Sequence, residues 1–223
     1  MVERVAAGLE QPRRCPPGGR GRFIVVEGID GSGTTTVVAG LCRALAALGY
    51  GVVETREPTA RPIGALLRQI LGAHSEVTPD WATMALLFAA DRRDHVVDCV
   101  LPALERGQVV VSDRYDLSSV AYQSATAPDP STADWIATLN AQALRPDLTV
   151  VVDVTADCAA ARRASRSGHR EIYEVDSLQR RLVELYSRAE RLVPERLVHV
   201  DGMVAAEAVL ASVLGQVRPV LEG

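Results

Sequence analysis

Five short runs of apolar residues recur along the chain. Within each run the apolar residues follow one another without alternating with polar ones, and the runs occupy residues 22–27, 51–55, 108–113, 148–154 and 197–201. Continuous runs of this length are typical of parallel strands whose two faces are both covered by helices. In a strand with one face in water, apolar and polar residues alternate. The pattern therefore predicts five parallel strands.

Between these runs the apolar residues recur at helical spacing. Residues 34–48 place a set of apolar side chains on one helix face, namely Val37, Val38, Leu41, Leu45 and Leu48. Further helical patterns cover residues 62–72, 79–105, 116–125, 131–144, 156–166, 174–194 and 203–216. Strands that alternate with helices predict an α/β fold, a doubly wound five-stranded parallel sheet flanked by helices, with ligands at the carboxyl ends of the strands.

The sequence predicts one domain with a tail and a lid. Residues 1–21 are rich in proline, glycine and arginine and lack an apolar core, which predicts a mobile tail and not a signal peptide. Residues 22–223 form the domain. Within it, residues 163–173 are polar and rich in arginine and lie between two helical patterns. We therefore predict a mobile lid there.

A glycine-rich segment follows the first predicted strand. Gly28 and Gly33 stand at the ends of a G-x-x-x-x-G pattern, and Thr35 stands where a Ser or Thr hydroxyl binds Mg²⁺. In such a loop, backbone N–H groups and the positive end of the following helix hold phosphate. An ordinary turn between strand and helix is the alternative. The predicted ATP phosphate site comprises Gly28, Asp30, Gly31, Ser32, Gly33, Thr34, Thr35 and Thr36.

This loop lacks the lysine that the pattern requires, because Thr34 stands in its place. Lysine is absent from the whole chain, and all 24 basic residues are arginine. Compositional bias and engineered removal of lysine are both compatible with this absence. A threonine hydroxyl donates one neutral hydrogen bond, and charge-assisted bonds to phosphate are about twice as strong. Another cation must therefore compensate, or phosphoryl transfer slows.

The composition argues against two kinds of partner. The net charge is -4, and because the first 22 residues hold an excess of arginine, the body of the domain is acidic. A nucleic-acid binder needs an excess of cations along one face. A membrane span needs about 18 consecutive apolar residues, which the sequence lacks. The four cysteines, at positions 15, 42, 99 and 158, are widely spaced, which favours free thiols in the cytoplasm.

Four further segments share one resemblance with the glycine-rich loop. They read "TREPTARPIG" at 55–64, "LLFAADRRDHV" at 86–96, "VSDRYDLSSVAYQ" at 111–123 and "RPDLTVVVDV" at 145–154. Together they closely resemble the thymidylate kinases, P-loop nucleoside monophosphate kinases that convert dTMP to dTDP with MgATP. The resemblance runs from about residue 22 to the last strand. The departures are Thr34, "PTA" after "RE" where bacterial members usually read "PGG", and a lid that matches loosely.

The resemblance and the spacing together predict a site for the base and sugar of dTMP. Phe88 and Arg92 lie four apart and share a helix face, which suits a stacked base and a clamped carbonyl; a core phenylalanine and a surface arginine are the alternative. In the family the matched positions hold thymine. By resemblance, Ser119 and Gln123 contact the base, and Tyr122 crowds the 2′ position and so favours deoxyribose.

Four charged residues are candidates for the phosphate chemistry. Asp113 follows the third strand, so we expect it at the carboxyl edge of the sheet, where it would organise Mg²⁺ together with Thr35. By resemblance, Arg114 and Arg56 hold the phosphate of dTMP, and Asp30 orients the sugar 3′-OH and nearby arginines. Glu27 is expected to brace the loop. A general base is unnecessary because the attacking phosphate oxygen is already ionised.

Members of the resembled family take a catalytic arginine either from the phosphate loop or from the lid. Gly31 and Ser32 carry no charge, whereas the lid region holds four arginines, at positions 162, 163, 166 and 170. The lid arrangement is therefore favoured. Arg166 and Arg170 are the predicted catalytic pair because they flank Gly168; a solvated basic loop is the alternative for each.

The sequence thus predicts an ATP:dTMP phosphotransferase. Two other functions stay open at this point: a nucleotide-binding pseudo-kinase with little turnover, and a kinase for another nucleoside monophosphate. The family resemblance implies a homodimer that forms through helices.

Overall fold

The computed structural model describes residues 19–72, 79–127, 129, 132–165 and 172–223. Its centre is a five-stranded sheet whose neighbouring strands are all parallel. The strands are β1 (Arg22–Glu27), β2 (Val52–Arg56), β3 (Val109–Asp113), β4 (Leu148–Asp153) and β5 (Leu197–Asp201), in the spatial order β2-β3-β1-β4-β5. The predicted fold class and all five predicted strands are confirmed.

Helices cover both faces of this sheet. They are α1 (Thr34–Ala47), α2 (Pro62–Leu71), α3 (Trp81–His95), α4 (Leu101–Glu105), α5 (Asp116–Thr126), α6 (Thr132–Asn140), α7 (Ala156–Ala164), α8 (Asp176–Tyr186) and α9 (Ala206–Glu222). On one face, Ile24 and Val111 pack with α1 and α9. On the other face, Val25 packs near α4 and Val151 packs against α5 and α8. Both faces are buried, which explains the continuous apolar runs.

The predicted helix at 131–144 ends early, because α6 ends at Asn140. Three other helical predictions differ from the structure at their ends or interior. Residues 79–105, predicted as one helix, include a π-helical turn at Val96–Val100 between α3 and α4. The segment 174–194 is interrupted, because α8 ends at Tyr186 and a short 3₁₀ turn follows at Ala189–Arg191.

The third difference is that α9 continues to Glu222, six residues beyond its predicted end at 216. Pro219 lies inside this last part of the helix, where proline normally breaks helical hydrogen bonding. Val217, Val220 and Leu221 are nevertheless buried in the core. Their burial keeps the segment helical.

Two residues assigned to the tail are tied to the domain. The Arg20 guanidinium forms an ion pair with the carboxylate of Asp147 at 2.7 Å, and the Gly21 N–H donates to the Leu104 carbonyl at 2.7 Å. Residues 1–18 and 166–171, which include most of the predicted tail and the centre of the predicted lid, lie outside the described residues. Among the helices that the structure describes, none is long and apolar enough to cross a membrane.

Candidate active site

The carboxyl ends of β1, β2 and β3 surround one cavity of about 610 Å³. The sheet register pairs Val26 with Asp113 and Arg56 with Asp113, so the residues that follow these strands meet at one edge. The cavity brings together most of the predicted site residues. They are Asp30, Gly31, Gly33, Thr34, Thr35, Thr36, Arg56, Phe88, Arg92, Asp113, Arg114, Ser119, Tyr122 and Gln123. Of the others, Gly28 and Ser32 do not line it, and Arg166 and Arg170 lie outside the described residues.

The glycine-rich loop has a backbone that suits anion binding. Gly31 and Gly33 have φ angles of 91° and 99°, a backbone conformation that residues other than glycine rarely adopt. A Cβ on Gly31 would lie 2.5 Å from the Ala159 carbonyl oxygen, so only glycine fits there. Gly33 immediately precedes α1, and no acidic residue stands in the first turn of that helix. The positive end of α1 therefore faces the cavity with no carboxylate from its own first turn.

Thr35 and Asp113 form a pair between α1 and β3. The Thr35 hydroxyl donates to Asp113 Oδ2 at 2.6 Å, and Asp113 Oδ1 is buried with no hydrogen-bond partner among the described residues. A hydroxyl and a carboxylate beside a phosphate loop are the oxygen ligands that Mg²⁺ takes from proteins, with the rest of its coordination coming from phosphates and water. These two residues fit a magnesium ion.

Arg114 and Asp30 join the phosphate loop to the start of α5. Arg114 Nη2 donates to Asp30 Oδ1 at 2.6 Å, and the guanidinium lies 5.2 Å from the centre of the Tyr122 ring. Burial lowers the pKa of Arg114, but Tyr122, Asp30 and other nearby groups raise it well above its usual value. Arg114 also has a φ of 72°, a strained conformation that clusters at functional sites. Arg114 therefore stays positively charged, and its contacts hold the guanidinium at the cavity wall.

Glu27 braces a different element from the one expected. Its carboxylate accepts hydrogen bonds from the N–H groups of Tyr115 and Ser118 at 2.8 and 3.1 Å, and from the hydroxyls of Ser118 and Tyr186 at 2.6 and 3.0 Å. Burial raises the pKa of this carboxyl, although the hydrogen bonds from Ser118 and Tyr115 and the charge of Arg114 oppose the shift. The prediction that Glu27 braces the phosphate loop is therefore corrected: it holds the first turn of α5.

Arg92 is a buried anchor in the cavity wall. Its Nη2 donates to Glu57 Oε2 at 2.8 Å, to the Tyr115 carbonyl at 3.0 Å and to the Ser119 hydroxyl at 2.9 Å, and its Nη1 donates to Asn140. The side chain is 3% exposed. The alternative of a surface arginine is thereby excluded. Of the three guanidinium nitrogens of Arg92, Nε has no hydrogen-bond partner among the described residues. Phe88 is half-buried beside it in the cavity lining.

The same face of α5 places Ser119, Tyr122 and Gln123 at the cavity. All three are buried, and Gln123 is 1% exposed. Within the described part of the chain, neither the oxygen nor the nitrogen of the Gln123 amide has a hydrogen-bond partner, and the Tyr122 hydroxyl has none either. Leaving a buried amide without partners costs about 1–3 kcal/mol, so such a group at a cavity wall points to a polar ligand.

Several residues of this site were not predicted from the sequence. Glu57 positions Arg92, and His95 binds Glu57 through Nδ1 at 3.0 Å and contacts the Thr55 hydroxyl through Nε2 at 2.7 Å. Burial lowers the pKa of His95, but hydrogen bonds with Cys99 and Glu57 raise it to about 9. The "TRE" segment could have indicated Thr55 and Glu57, because they are the sequence neighbours of the predicted site residue Arg56.

Further residues that the sequence did not predict at this site also line the cavity, among them Arg68, Tyr173 and Arg162. Arg68, on α2, donates from Nη1 to the Pro58 carbonyl at 2.9 Å. The Tyr173 ring lies 5.6 Å from that of Tyr122. Arg162, one of the four arginines of the lid region, donates from Nη1 to the Ser32 carbonyl of the phosphate loop at 3.0 Å. No spacing in the sequence indicated Tyr173.

Comparison with known proteins gives one family. The family model described as thymidylate kinase matches residues 26–213. A protein named probable thymidylate kinase from Pyrococcus horikoshii is 37% identical over 207 residues, which cover 92% of this chain and 99% of that protein. A protein of the same name from Thermococcus gammatolerans is 40% identical over 191 residues, which cover 82% of this chain and 90% of that protein. A protein named thymidylate kinase from Pelobacter propionicus is 38% identical over 207 residues, with 88% and 94% covered.

Proposed function

Because this chain belongs to the thymidylate kinase family of nucleoside monophosphate kinases, we propose that it transfers the γ-phosphoryl group of MgATP to dTMP, forming ADP and dTDP. The observation that carries the proposal is one continuous cavity that joins a phosphate loop to the amide of Gln123, which has no hydrogen-bond partner among the described residues. One end suits a phosphate chain and the other suits the polar edge of a base.

Residues of the phosphate loop hold the donor in this proposal. The N–H groups at the start of α1 face the cavity with no acidic residue in the first turn, so they bind the anionic phosphates of ATP. Thr35 and Asp113 hold Mg²⁺, which neutralises charge on the transferring phosphate when it is bound. Asp113 is kept in position by its 2.6 Å hydrogen bond from Thr35.

Arginines and the face of α5 hold the acceptor. Arg114, fixed by Asp30 at 2.6 Å, and the exposed Arg56 bind the phosphate of dTMP. Gln123 hydrogen-bonds the base, Phe88 stacks on it, and the buried ring of Tyr122 limits the space for a 2′-hydroxyl. The attacking oxygen belongs to an ionised phosphate, so the protein contributes position and positive charge and no general base.

A substrate panel tests this assignment. Initial rates of ADP formation are measured with MgATP and each of dTMP, dUMP, UMP and CMP as the acceptor. Because Tyr122 and Gln123 line the acceptor end, dTMP should give the highest kcat/KM and UMP a much lower value. Equal kcat/KM for UMP or CMP would remove these residues from the acceptor site.

A second candidate function rests on Thr34. Since the loop has no lysine, a protein that binds dTMP and ATP but turns over little is the competing proposal. Binding of both nucleotides by calorimetry, combined with no formation of dTDP, would favour this pseudo-kinase.

We also propose a homodimer that forms through the helical segment that runs from α3 through the π-helical turn at Val96–Val100 into α4. Its exposed face carries Leu86, Val97 and Leu101, which are 51%, 44% and 36% exposed, with Ala90 between them at helical spacing. Such an apolar stripe suits a second copy of the chain. Light scattering should give a dimer for the native chain and a monomer for Leu86→Glu combined with Val97→Glu. The control Met203→Glu should stay dimeric, and a dimeric double variant would contradict the proposal.

The three described cysteines, Cys42, Cys99 and Cys158, are free thiols. Free thiols suit a reducing compartment, and we propose that the protein acts in the cytoplasm.

A further inference from the structure

The start of α1 has no cation of its own. Thr34 occupies the first helical position and is buried, with 6% of its surface exposed. The next two residues are Thr35 and Thr36, so every side chain in the first turn that faces the phosphates is neutral. Backbone amides alone would then carry the binding of the highly charged end of ATP.

Arg162 reaches this place from another element. It lies on α7, and its Nη1 donates to the Ser32 carbonyl at 3.0 Å while its Nη2 donates to the Gly202 carbonyl at 2.7 Å. Its Nη1 is 3.9 Å from the position that a Cβ on Gly33 would occupy. The same side chain lines the cavity together with Thr34 and Thr35. The guanidinium therefore stands beside Ser32 and Gly33, the two residues that precede Thr34.

The charge of Arg162 is not neutralised by the part of the protein that the structure describes. Both of its hydrogen-bond partners are backbone carbonyls, and no described carboxylate forms an ion pair with it. Its neighbour Arg163 differs, because it lies 3.8 Å from the carboxylate of Asp176, and Arg114 is paired with Asp30. A guanidinium has five N–H donors, so Arg162 keeps donors for an anion after binding its two carbonyls.

We propose that Arg162 supplies the positive charge that the phosphate loop lacks, by binding the β- and γ-phosphates of ATP from α7. This inference rests on the proposed function only in taking ATP as the donor. Arginine binds phosphate through a planar fork and is always charged, so one fixed guanidinium offers both the charge and the orientation that a loop lysine would give. Two other roles are possible for the same contacts: a brace for the loop, or a platform for the adenine ring.

Nucleotide binding separates these roles without any need for turnover. The variant Arg162→Gln keeps a side-chain amide that can donate to a carbonyl, but it removes the charge. Calorimetry with inorganic tripolyphosphate, ATP and AMP should show affinity for tripolyphosphate and ATP reduced about tenfold to hundredfold, with AMP affected far less and dTMP unchanged. Arg162→Lys should restore most of the lost affinity.

A matched control comes from the adjacent helix. Arg180 on α8 pairs with Asp157 on α7, and both side chains are largely exposed. Arg180→Gln removes one positive charge from the same helix pair without altering the cavity, and its affinities should equal those of the native chain. Equal loss of AMP and ATP affinity in Arg162→Gln would assign Arg162 to the adenine ring. Unchanged tripolyphosphate affinity would leave it a brace only; either result overturns the proposal.

A rescue experiment links Arg162 to Thr34 during turnover. Arg162→Gln should lower kcat by about 100-fold, and adding Thr34→Lys to that variant should recover about tenfold or more of the loss. In the native background Thr34→Lys should give little gain or a loss, because an ammonium beside Arg162 meets a like charge. Equal effects of Thr34→Lys in both backgrounds would contradict the proposal. A native chain without turnover would instead refute the proposed function, while the binding results still test Arg162.

Discussion

The Thr35 hydroxyl donates a 2.6 Å hydrogen bond to Asp113 Oδ2, and this bond joins the first turn of α1 to the end of β3. The two residues are 78 positions apart in the chain. They meet because β1 and β3 are parallel neighbours, so that Val26 stands opposite Asp113. The pair lies where a phosphate loop and a strand-end carboxylate can share one magnesium ion.

The first prediction concerns Asp113. Asp113→Asn removes the negative charge but keeps an oxygen within reach of Thr35, so Mg²⁺ binding should weaken while the fold is retained. We expect kcat with MgATP and dTMP to fall by about 100-fold or more, since metal stabilisation of the reacting phosphate is worth several kcal/mol. Initial rates across a magnesium titration measure this. Asp153→Asn, at the end of β4 and outside the cavity, is the control and should keep its rate.

The second prediction concerns Gln123, whose buried amide lacks partners among the described residues. Gln123→Met keeps the length of the side chain and removes the amide. The free energy of unfolding should rise by about 1 kcal/mol, and the affinity for dTMP should fall about tenfold, because the amide serves only the ligand. Urea unfolding and calorimetry measure the two quantities. A loss of stability would mean that the protein itself satisfies this amide.

The third prediction concerns the buried ion pair of Arg92 and Glu57, which are both 3% exposed and 2.8 Å apart. Arg92→Ala leaves the Glu57 carboxylate buried beside His95 alone. Breaking a buried pair from one side costs about 3–5 kcal/mol, so the midpoint of urea unfolding should fall strongly. If dTMP affinity changes while stability does not, Arg92 contacts the base directly and the anchor role is wrong.

The fourth prediction is a pH dependence of stability that arises from His95. Its pKa in the folded protein is about 9, above the value of about 6.5 in an unfolded chain. The stabilising contribution of the imidazolium is therefore fully present below about pH 6.5 and is lost as the pH rises through about 9. The free energy of unfolding should fall by about 3 kcal/mol between pH 6.5 and 9.5. His95→Gln should flatten this decline; an unchanged slope would show that another group causes it.

The strands of the fold were predictable from the sequence because both faces of the sheet are buried. β1 and β5 begin and end where their apolar runs do, at Arg22–Glu27 and Leu197–Asp201. The end of α9 was not predictable in the same way. Gly215 and Pro219 indicate a helix end locally, and only tertiary burial of Val217 and Leu221 keeps the segment helical.

Some residues of the site were likewise predictable from the sequence, and others were not. The phosphate loop and Asp113 were predictable because strand-loop-helix order fixes where they lie. The role of Arg92 was not, because its partner Glu57 is 35 positions away and no spacing rule links the two. The position of Arg162 was not predictable for a related reason: it donates to the backbone carbonyls of Ser32 and Gly202 across the fold, and such contacts leave no signature in the sequence.

Observation of the transferred phosphate tests most directly whether this chain phosphorylates dTMP. A ³¹P NMR time course with catalytic amounts of the native chain, MgATP and dTMP follows the loss of the ATP γ-phosphate signal and the appearance of the β-phosphate of dTDP. We predict equimolar ADP and dTDP over many turnovers, and their loss in Asp113→Asn. Persistence of the ATP and dTMP signals under conditions where calorimetry shows both nucleotides bound would contradict the assignment of this chain as an active dTMP kinase.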